Sequence, residues 1–367
     1  MDAALVKGRN ARAWDVDGKE YIDFTAGIGV NALGYCDPEW SAAVAGQAGK
    51  IQHMCNYYYC PENTALAQEL SQASGMAKAF FCNSGAEANE CAVKIARKYG
   101  EKRGAYRIVT LENSFHGRTL TTLAATGQEG FHREFLPLTE GFLYAQAGDL
   151  AGIQAAAGRL CLRVMLEMVQ GEGGVIPMDE GFVKGLAQLC REKDVLLLID
   201  EVQTGIGRTG RFFAYQGYAS SRMWSPAPRA LPGAFPWAPA LSAKGWGTSC
   251  SPARTAPPLG ATPLPAPPPG WWCAGCRSRI SSKAWRRRRL LPGKAGGHAP
   301  GGVRPGPWLM LGVKLKEKDA HDVLVQCAKA GLLILTAKEL VRFLPPLTIT
   351  QEDIDQGLAI FQQVLAQ

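Results

Sequence analysis

The chain has 367 residues, of which 47% are hydrophobic and 20% charged, and its formal net charge is +8 at pH 7. This length and apolar content suit one large domain and a smaller one. No run of about 18 apolar residues occurs and the N-terminus lacks an apolar signal segment, so we expect a cytoplasmic protein with no membrane span.

Up to Tyr218 the sequence alternates between strand-like and helix-like stretches. Arg12–Phe24 predicts a hairpin around an Asp-x-Asp-Gly turn. Apolar spacing predicts helices over Asn63–Ser74 and Glu87–Tyr99. Apolar runs predict three buried strands, at Ala105–Leu111, Val164–Val169 and Val195–Val202. Strands separated by helices indicate an α/β fold whose central sheet is mostly parallel, with helices on both faces.

The chain changes character between Tyr218 and Trp308. Ala219–Pro307 contains thirteen Lys and Arg residues, no Asp or Glu, and 17 of the 23 prolines. The rest of the chain holds 27 Lys and Arg against 32 Asp and Glu, which is a net charge of −5. Because proline lacks a backbone donor and has a fixed φ, we expect neither helices nor sheet ladders from this segment.

After Trp308 the regular pattern returns, in a part that we interpret as a small α+β domain. Leu309–Leu315 and Leu332–Leu335 predict strands, and Asp319–Ala330 predicts a helix. Gln351–Ala366 predicts a closing helix with Thr350 as its N-cap. The predicted division is therefore an N-terminal segment (1–30), a large domain (31–218), the proline- and arginine-rich segment (219–308) and a small domain (309–367).

The eleven cysteines are scattered through the chain rather than spaced as a disulfide framework. Five of them lie in apolar stretches, where we expect buried thiols: Cys82, Cys91, Cys161, Cys190 and Cys327. The one closely spaced pair, Cys273 and Cys276, has no second pair or histidine cluster at zinc spacing. We therefore expect no metal site.

Two strand ends carry residues suited to an anionic cofactor. Asn83–Glu87 is a small-residue turn before a helix, and such a turn offers backbone N–H groups and a helix dipole to a phosphate. Most turns of this kind are only tight corners. Asp200 ends the strongest strand, where α/β sheets bind ligands. It is either a permanent anion facing a protonated ring nitrogen or an ordinary helix cap or ion pair.

Three further motifs supply an aromatic ring and charges. In Asn113–Arg118, Phe115 and Arg118 suit ring stacking and carboxylate binding, although ordinary turn packing would also explain them. Glu167–Gly174 ends another strand with acids and glycines. Arg342 stands in apolar surroundings, and a buried arginine requires a carboxylate from the protein or from a substrate.

Together, the motifs FFCNSGAEANE, NSFHGRT, VQGEGGV, LLLIDEVQTGIGRTG and RFLPPLTIT resemble the class III, pyridoxal-phosphate-dependent aminotransferases. The resemblance covers Ala4–Tyr218 and Leu309–Gln367, and the motifs follow the family's order. It implies a fold-type I transferase, a homodimer, and pyridoxal 5'-phosphate as the cofactor, bound by the large domain.

The resemblance also implies roles for individual residues. The implied cofactor contacts are Ser84, Gly85 and Ala86 at the phosphate, Phe115 stacked on the ring with His116 beside it, Asp200 at the ring nitrogen, Val202 beneath the ring and Gln203 near the phenolic oxygen. The implied substrate contacts are Arg118 and Arg342, which would hold carboxylates. Glu172 would pair with Arg342 and so help to admit two different substrates in turn.

One element of the family pattern is missing. Transamination needs a lysine that bonds to the cofactor and moves the substrate proton. The family spacing from Asp200 places it near Ala227, where the chain reads Ser-Pro-Ala-Pro-Arg-Ala-Leu-Pro and has no lysine. Lys244 lies too late in the chain and lacks the glycine-rich surroundings, so it is a poor substitute.

A shift of reading frame explains the missing lysine. With the last base of each codon joined to the first two of the next, Pro228 onward can be read as Lys-Gly-Leu-Ala-Gly-Gly-Phe-Pro-Met-Gly-Ala. In the same register Arg254–Pro263 can be read as His-Gly-Thr-Thr-Phe-Gly-Gly-Asn-Pro. We therefore predict a frameshift that enters near Tyr218 and closes near Trp308, with the lysine codon across Pro228 and Arg229.

The resemblance implies transfer of an amino group from N2-acetylornithine to 2-oxoglutarate, a step of arginine biosynthesis, with the chain as written inactive. Succinylornithine, ornithine and 4-aminobutyrate remain alternative donors. A different class of function is a non-catalytic protein whose Arg286–Arg289 cluster binds nucleic acid. The order of the motifs outside the segment argues against that alternative.

Overall fold

The computed structural model describes residues 3–55, 57–157, 161–218, 238–242, 303–304 and 309–367. Its strands are β1 Leu5–Arg9, β2 Arg12–Asp15, β3 Glu20–Asp23, β4 Lys78–Cys82, β5 Arg107–Leu111, β6 Phe142–Ala145, β7 Cys161–Glu167, β8 Val169–Gln170, β9 Ile176–Pro177, β10 Leu196–Asp200, β11 Ala238–Ser242, β12 Val303–Arg304, β13 Leu311–Lys314, β14 Leu332–Leu333, β15 Leu335–Ala337 and β16 Leu340–Phe343. Its helices are α1 Ala26–Gly29 (a single irregular turn), α2 Pro38–Ala48, α3 Pro61–Ser74, α4 Gly85–Gly100, α5 Leu120–Ala125, α6 Leu150–Ala157, α7 Glu180–Glu192, α8 Ala320–Lys329 and α9 Gln351–Ala366.

A four-stranded parallel sheet in the order β10-β7-β5-β6 lies at the centre of the part of the chain before Tyr218. Its strand residues alternate between two apolar cores. Leu197 and Ile199 pack in the core that includes α7, whereas Leu196 and Leu198 pack in the core that includes α4. Helices therefore cover both faces of the sheet, as the sequence predicted for this fold class.

The C-terminal part is built around the antiparallel strands β12-β13-β16-β15, with α8 and α9 packed nearby. The first strands of the chain join this part, because β3 pairs in parallel with β14, with Ile22 opposite Leu332. Phe24 is fully buried there, against Phe343 at a ring-centroid distance of 5.4 Å. The N-terminal hairpin is thus fixed to the element that carries Arg342.

Most predicted elements are present, with shifted ends. The helices predicted from Asn63 and Glu87 begin two residues earlier, at Pro61 and Gly85. The strand predicted over Leu332–Leu335 is divided into β14 and β15, and the closing helix α9 has the predicted bounds and the predicted cap, Thr350.

The expectation that the segment 219–308 forms no sheet ladder was wrong for two short stretches. Ala238–Ser242 pairs antiparallel with β4, and Val303–Arg304 pairs antiparallel with β13. Among the described residues both lie at the edge of their sheets, where Pro239 needs no N–H for a second neighbour. The remaining predictions for this segment, including Lys244, Cys273, Cys276 and the Arg286–Arg289 cluster, lie outside the described residues.

The expected buried thiols are confirmed at Cys82, Cys91, Cys190 and Cys327, none of which forms a disulfide among the described residues. The side chain of Cys161 lies outside the description. No helix in the described part of the chain has the length and apolar character needed to cross a membrane.

Candidate functional site

Two buried carboxylates meet at the carboxyl edge of the parallel sheet. Asp200 ends β10 and Glu167 ends β7, and the two residues are register partners. Their exposed fractions are 3% and 6%. Because all four strands run in the same direction, the loops that follow β5, β7 and β10 lie along this one edge.

Asp200 is surrounded by hydrogen-bond donors. Its Oδ2 accepts from Asn89 Nδ2 and lies 2.8 Å from His116 Nδ1, the same distance as the asparagine contact. Its Oδ1 accepts from the backbone N–H of Val202 at 2.9 Å. Donors of this kind favour the charged form of a carboxylate even where it is buried. Asp200 is therefore a buried carboxylate held by three donors and not a surface ion pair.

Glu167 differs from Asp200 in its partners and in its charge. It accepts hydrogen bonds from two backbone N–H groups, those of Phe115 at 3.0 Å and of Gly171 at 3.4 Å. Burial, together with the nearby charge of Asp200, raises the pKa of Glu167 well above its usual range. This rise in pKa favours the protonated, neutral form of Glu167.

The small-residue turn leads directly into helix α4. Ser84 is its N-cap, and the Ser84 hydroxyl accepts a hydrogen bond from Glu87 N at 3.2 Å. Gly85 is buried, and a Cβ placed on it would lie 2.7 Å from Val202 Cγ1. The turn is therefore a tight corner, as in the simpler of the two interpretations. It is also the start of a helix, whose first N–H groups lie at the site.

The loop after β5 carries Phe115 and Arg118. The Phe115 ring is half-buried, and its centroid lies 5.6 Å from that of Phe131 in an edge-on arrangement. Arg118 is exposed, and its guanidinium carbon lies 5.5 Å from the centroid of the same Phe131 ring. His116, between them, is buried and donates its backbone N–H to Thr126 Oγ1 at 2.9 Å.

Arg342, on β16, meets a carboxylate inside the protein. Its Nη2 donates to Glu172 Oε1 at 2.9 Å, and its Nη1 donates to Gln203 Oε1 at 3.4 Å. Gln203 Nε2 in turn donates to Glu172 Oε1 at 3.5 Å. The Arg342 side chain is 2% exposed and that of Glu172 is 26% exposed. The arginine is thus covered by a glutamate that has access to solvent.

A buried arginine near Gln203 has carbonyl partners. Arg208 donates to the carbonyl oxygens of Leu309 at 3.2 Å and Pro345 at 2.6 Å through Nη1, and to that of Gly29 at 3.4 Å through Nη2. Burial lowers the pKa of Arg208 to about 9. These bonds join the glycine loop after β10 to both the N-terminal and the C-terminal parts of the chain.

The sequence-predicted residues form two hydrogen-bonded groups in the structure: Asp200 with His116, and Arg342 with Glu172 and Gln203. Other residues, which the sequence did not reveal, contribute to the site. Asn89 is the clearest of these, because it donates to both Asp200 and the His116 carbonyl. The sequence could have indicated this residue. Position 89 lies on the apolar face of α4, between Ala88 and Ala92, where a buried amide needs polar partners. Nothing in the local pattern marked Phe131.

The residues present fit pyridoxal phosphate. The buried carboxylate of Asp200, the half-buried ring of Phe115 and the start of α4 match the ring nitrogen, ring face and phosphate of that cofactor. Three buried polar atoms here have no hydrogen-bond partner among the described residues: Asn89 Oδ1, His116 Nε2 and Arg342 Nε. A polar ligand would complete such a site. The position expected for the lysine, at Pro228 and Arg229, lies outside the described residues.

Comparisons with known proteins agree with this interpretation. Residues 1–266 and 289–365 match the family model for class III aminotransferases. The interval without a match lies inside the segment 219–308. The acetylornithine aminotransferase of Haemophilus ducreyi is 40% identical over 384 residues, covering 100% of this chain and 95% of that protein. The succinylornithine transaminase of Yersinia enterocolitica is 38% identical over 376 residues, covering 98% and 91%.

Solved structures give the same result. The N-acetylornithine aminotransferase of Stenotrophomonas maltophilia has a TM-score of 0.79 and 33% identity, covering 100% of this chain and 96% of that chain. The ornithine aminotransferase of Toxoplasma gondii, which was crystallised with partial occupancy of pyridoxal phosphate, has a TM-score of 0.85 and 27% identity, covering 100% and 91%.

Proposed function

Because the chain belongs to the class III aminotransferase family, whose members use pyridoxal phosphate, we propose that its reaction transfers the amino group of N-acetylornithine to 2-oxoglutarate. The product of the first half-reaction is a semialdehyde, and that of the second is glutamate. Relatives named acetylornithine aminotransferase support this donor. Because one relative is named succinylornithine transaminase, succinylornithine is the second candidate for the amino donor, ahead of ornithine and 4-aminobutyrate.

The observation that carries the proposal is the Arg342–Glu172 pair, together with a second cation, the exposed Arg118. N-acetylornithine has one carboxylate, which is remote from the reacting amine. Arg118 binds this carboxylate. Glu172 meanwhile covers Arg342. 2-Oxoglutarate has two carboxylates, and its second one takes the place of Glu172 on Arg342. One site therefore serves a monocarboxylate donor and a dicarboxylate acceptor in turn.

The remaining site residues are proposed to hold the cofactor. When bound, pyridoxal phosphate supplies an electron sink for the bond that breaks. Asp200 keeps the ring nitrogen protonated, and Asn89 and His116 hold the carboxylate in place. Phe115 would stack on the ring, with Val202 beneath it and Gln203 near the phenolic oxygen. Ser84, Gly85 and Ala86 bind the phosphate at the start of α4.

We further propose that the chain as written does not turn over, because the lysine that moves the proton is encoded in the shifted frame across Pro228 and Arg229. Resequencing the gene between the codons of Tyr218 and Trp308 tests the origin of the segment. A compensating base at each end supports the frameshift, and a clean read in the present frame rejects a sequencing error.

The substrate proposal is tested with the four donors on the chain loaded with pyridoxal phosphate. We expect a visible absorbance band that shifts on adding donor, at the lowest concentration for N-acetylornithine. A band shift at a lower concentration of succinylornithine would make succinylornithine the preferred donor in place of N-acetylornithine. Salt-sensitive RNA binding with no such band would favour the nucleic-acid alternative, whose Arg286–Arg289 cluster lies outside the described residues.

A homodimer and a cytoplasmic location complete the proposal. Three adjacent tyrosines are exposed, Tyr57 at 92%, Tyr58 at 72% and Tyr59 at 93%, and exposed apolar surface of this kind suits an interface. Light scattering should give a dimer mass for the parent chain and for Tyr106→Ser, and a monomer mass for Tyr57→Ser/Tyr59→Ser. The cysteines of the described residues form no disulfide, which supports a reducing compartment.

A further inference from the structure

Phe131 contacts two residues of the proposed site, Phe115 and Arg118, and is not itself one of the proposed cofactor or substrate contacts. It ends a short 3-10 turn, Glu129–Phe131, and its ring is half-buried. Its ring meets the Phe115 ring edge-on at 5.6 Å, and it also carries the Arg118 guanidinium at 5.5 Å. One side chain thus links the proposed stacking ring to the proposed carboxylate-binding cation.

Ordinary core packing does not account for this ring. Neither Phe115 nor Phe131 belongs to any of the buried apolar clusters of the described residues. Within the same described part of the chain, no carboxylate is paired with Arg118. The face of Phe131 is therefore what orients an otherwise unpaired cation.

The turn that carries Phe131 is fixed on both sides. Before it, Gln128 Nε2 donates to the carbonyl of Ser114 at 3.0 Å, and Ser114 immediately precedes Phe115. After it, His132 Nε2 donates to the carbonyls of Leu123 and Thr126 at 3.0 and 2.8 Å. The ring is held relative to the Phe115 loop by these bonds rather than by its own packing.

We propose that Phe131 is a positioning residue that holds the Arg118 guanidinium beside the stacking ring, ready for a substrate carboxylate. This inference rests on the proposed function. An arginine side chain has many rotamers in solvent, and ordering it on binding weakens affinity. A flat aromatic face restricts the guanidinium before the substrate arrives, so the carboxylate binds to a cation that is already in place.

The test uses the full chain loaded with pyridoxamine phosphate, the amine form of the cofactor, since binding this form needs no lysine. Calorimetry then measures the dissociation constant of 2-oxoglutarate. Phe131→Leu keeps an apolar side chain and removes the π face, and we expect about fivefold weaker binding, equivalent to about 1 kcal/mol. Phe131→Tyr should restore binding. Phe135→Leu is the matched control, since Phe135 is 56% exposed on the same segment, and it should have no effect.

A double-mutant cycle separates positioning from a merely structural role. With Arg118→Gln in place, adding Phe131→Leu should weaken binding no further, because there is no cation left to orient. An equal loss in both backgrounds, or parallel losses of pyridoxamine phosphate affinity and thermal stability, overturns the inference. If the parent chain binds the cofactor but not 2-oxoglutarate, the proposed function itself fails, and the inference fails with it.

Discussion

The close packing of Gly85 against Val202 gives a prediction whose size follows from the structure. A Cβ at position 85 would lie 2.7 Å from Val202 Cγ1 and 3.0 Å from Cγ2. Carbon atoms in good contact are about 3.5 Å apart or more. Gly85→Ala therefore forces Val202 away from the start of α4. Overpacking of this kind costs about 1–3 kcal/mol, partly offset by the better helix propensity of alanine.

Because Gly85 and Val202 are both proposed to contact the cofactor, the strain caused by Gly85→Ala should lower the affinity for the cofactor. We expect Gly85→Ala to weaken pyridoxamine phosphate binding about tenfold, equivalent to about 1.4 kcal/mol. Val202→Ala removes the clashing carbons, so the double variant should bind better than the sum of the two single effects predicts, by about 1 kcal/mol or more. Fluorescence titration measures all four chains.

The control is Gly46→Ala, because Gly46 is also helical and a Cβ there would meet nothing within 4 Å. It should leave cofactor affinity unchanged. Strict additivity in the cycle, or unchanged affinity in Gly85→Ala, would show that Val202 and the start of α4 do not form one cofactor contact.

Three other changes test neighbouring parts of the site. Glu172→Gln removes the charge that covers Arg342, so calorimetry should show 2-oxoglutarate binding about fivefold tighter, and weaker binding would contradict the exchange of carboxylates. Burial raises the pKa of Glu201 to about 7, so the folded protein binds the Glu201 proton more tightly than the unfolded chain does. This contribution to the free energy of unfolding is complete below the usual pKa of glutamate and is lost as the pH rises through 7. Glu201→Gln should therefore remove up to about 3 kcal/mol of the pH dependence of unfolding between pH 4.5 and 7, and an unchanged profile would reject this assignment. Arg208→Lys loses the fork that joins three carbonyls and should lower the thermal midpoint by several degrees, while the exposed control Arg211→Lys should not; equal midpoints would reject the role of Arg208.

The sequence identified the residues that end strands, because a polar group at the end of an apolar run is visible without a structure. Asp200 is an example. Thr350, the N-cap of α9, was identified by an equally local signal, its position just before a helical pattern. Motif order then supplied the family, which no single motif could have done. These signals are local, and they depend only on neighbouring residues.

What the sequence did not reveal depends on distance in space. Phe131 lies 16 residues after Phe115, and only the folded loop brings the two rings together. The Arg208 contacts span up to 179 positions along the chain, so no local pattern predicts them. β11 was missed for a different reason: proline argues against a ladder, but an edge strand tolerates it.

The most direct test compares two chains in one assay of glutamate formation from N-acetylornithine and 2-oxoglutarate. One is the chain as written, and the other has residues 219–308 replaced by the translation of the shifted frame. We predict turnover only in the second chain, and only with its restored lysine intact. Turnover by the chain as written, above that of free pyridoxal phosphate, would contradict the proposal that this segment holds the missing catalytic group.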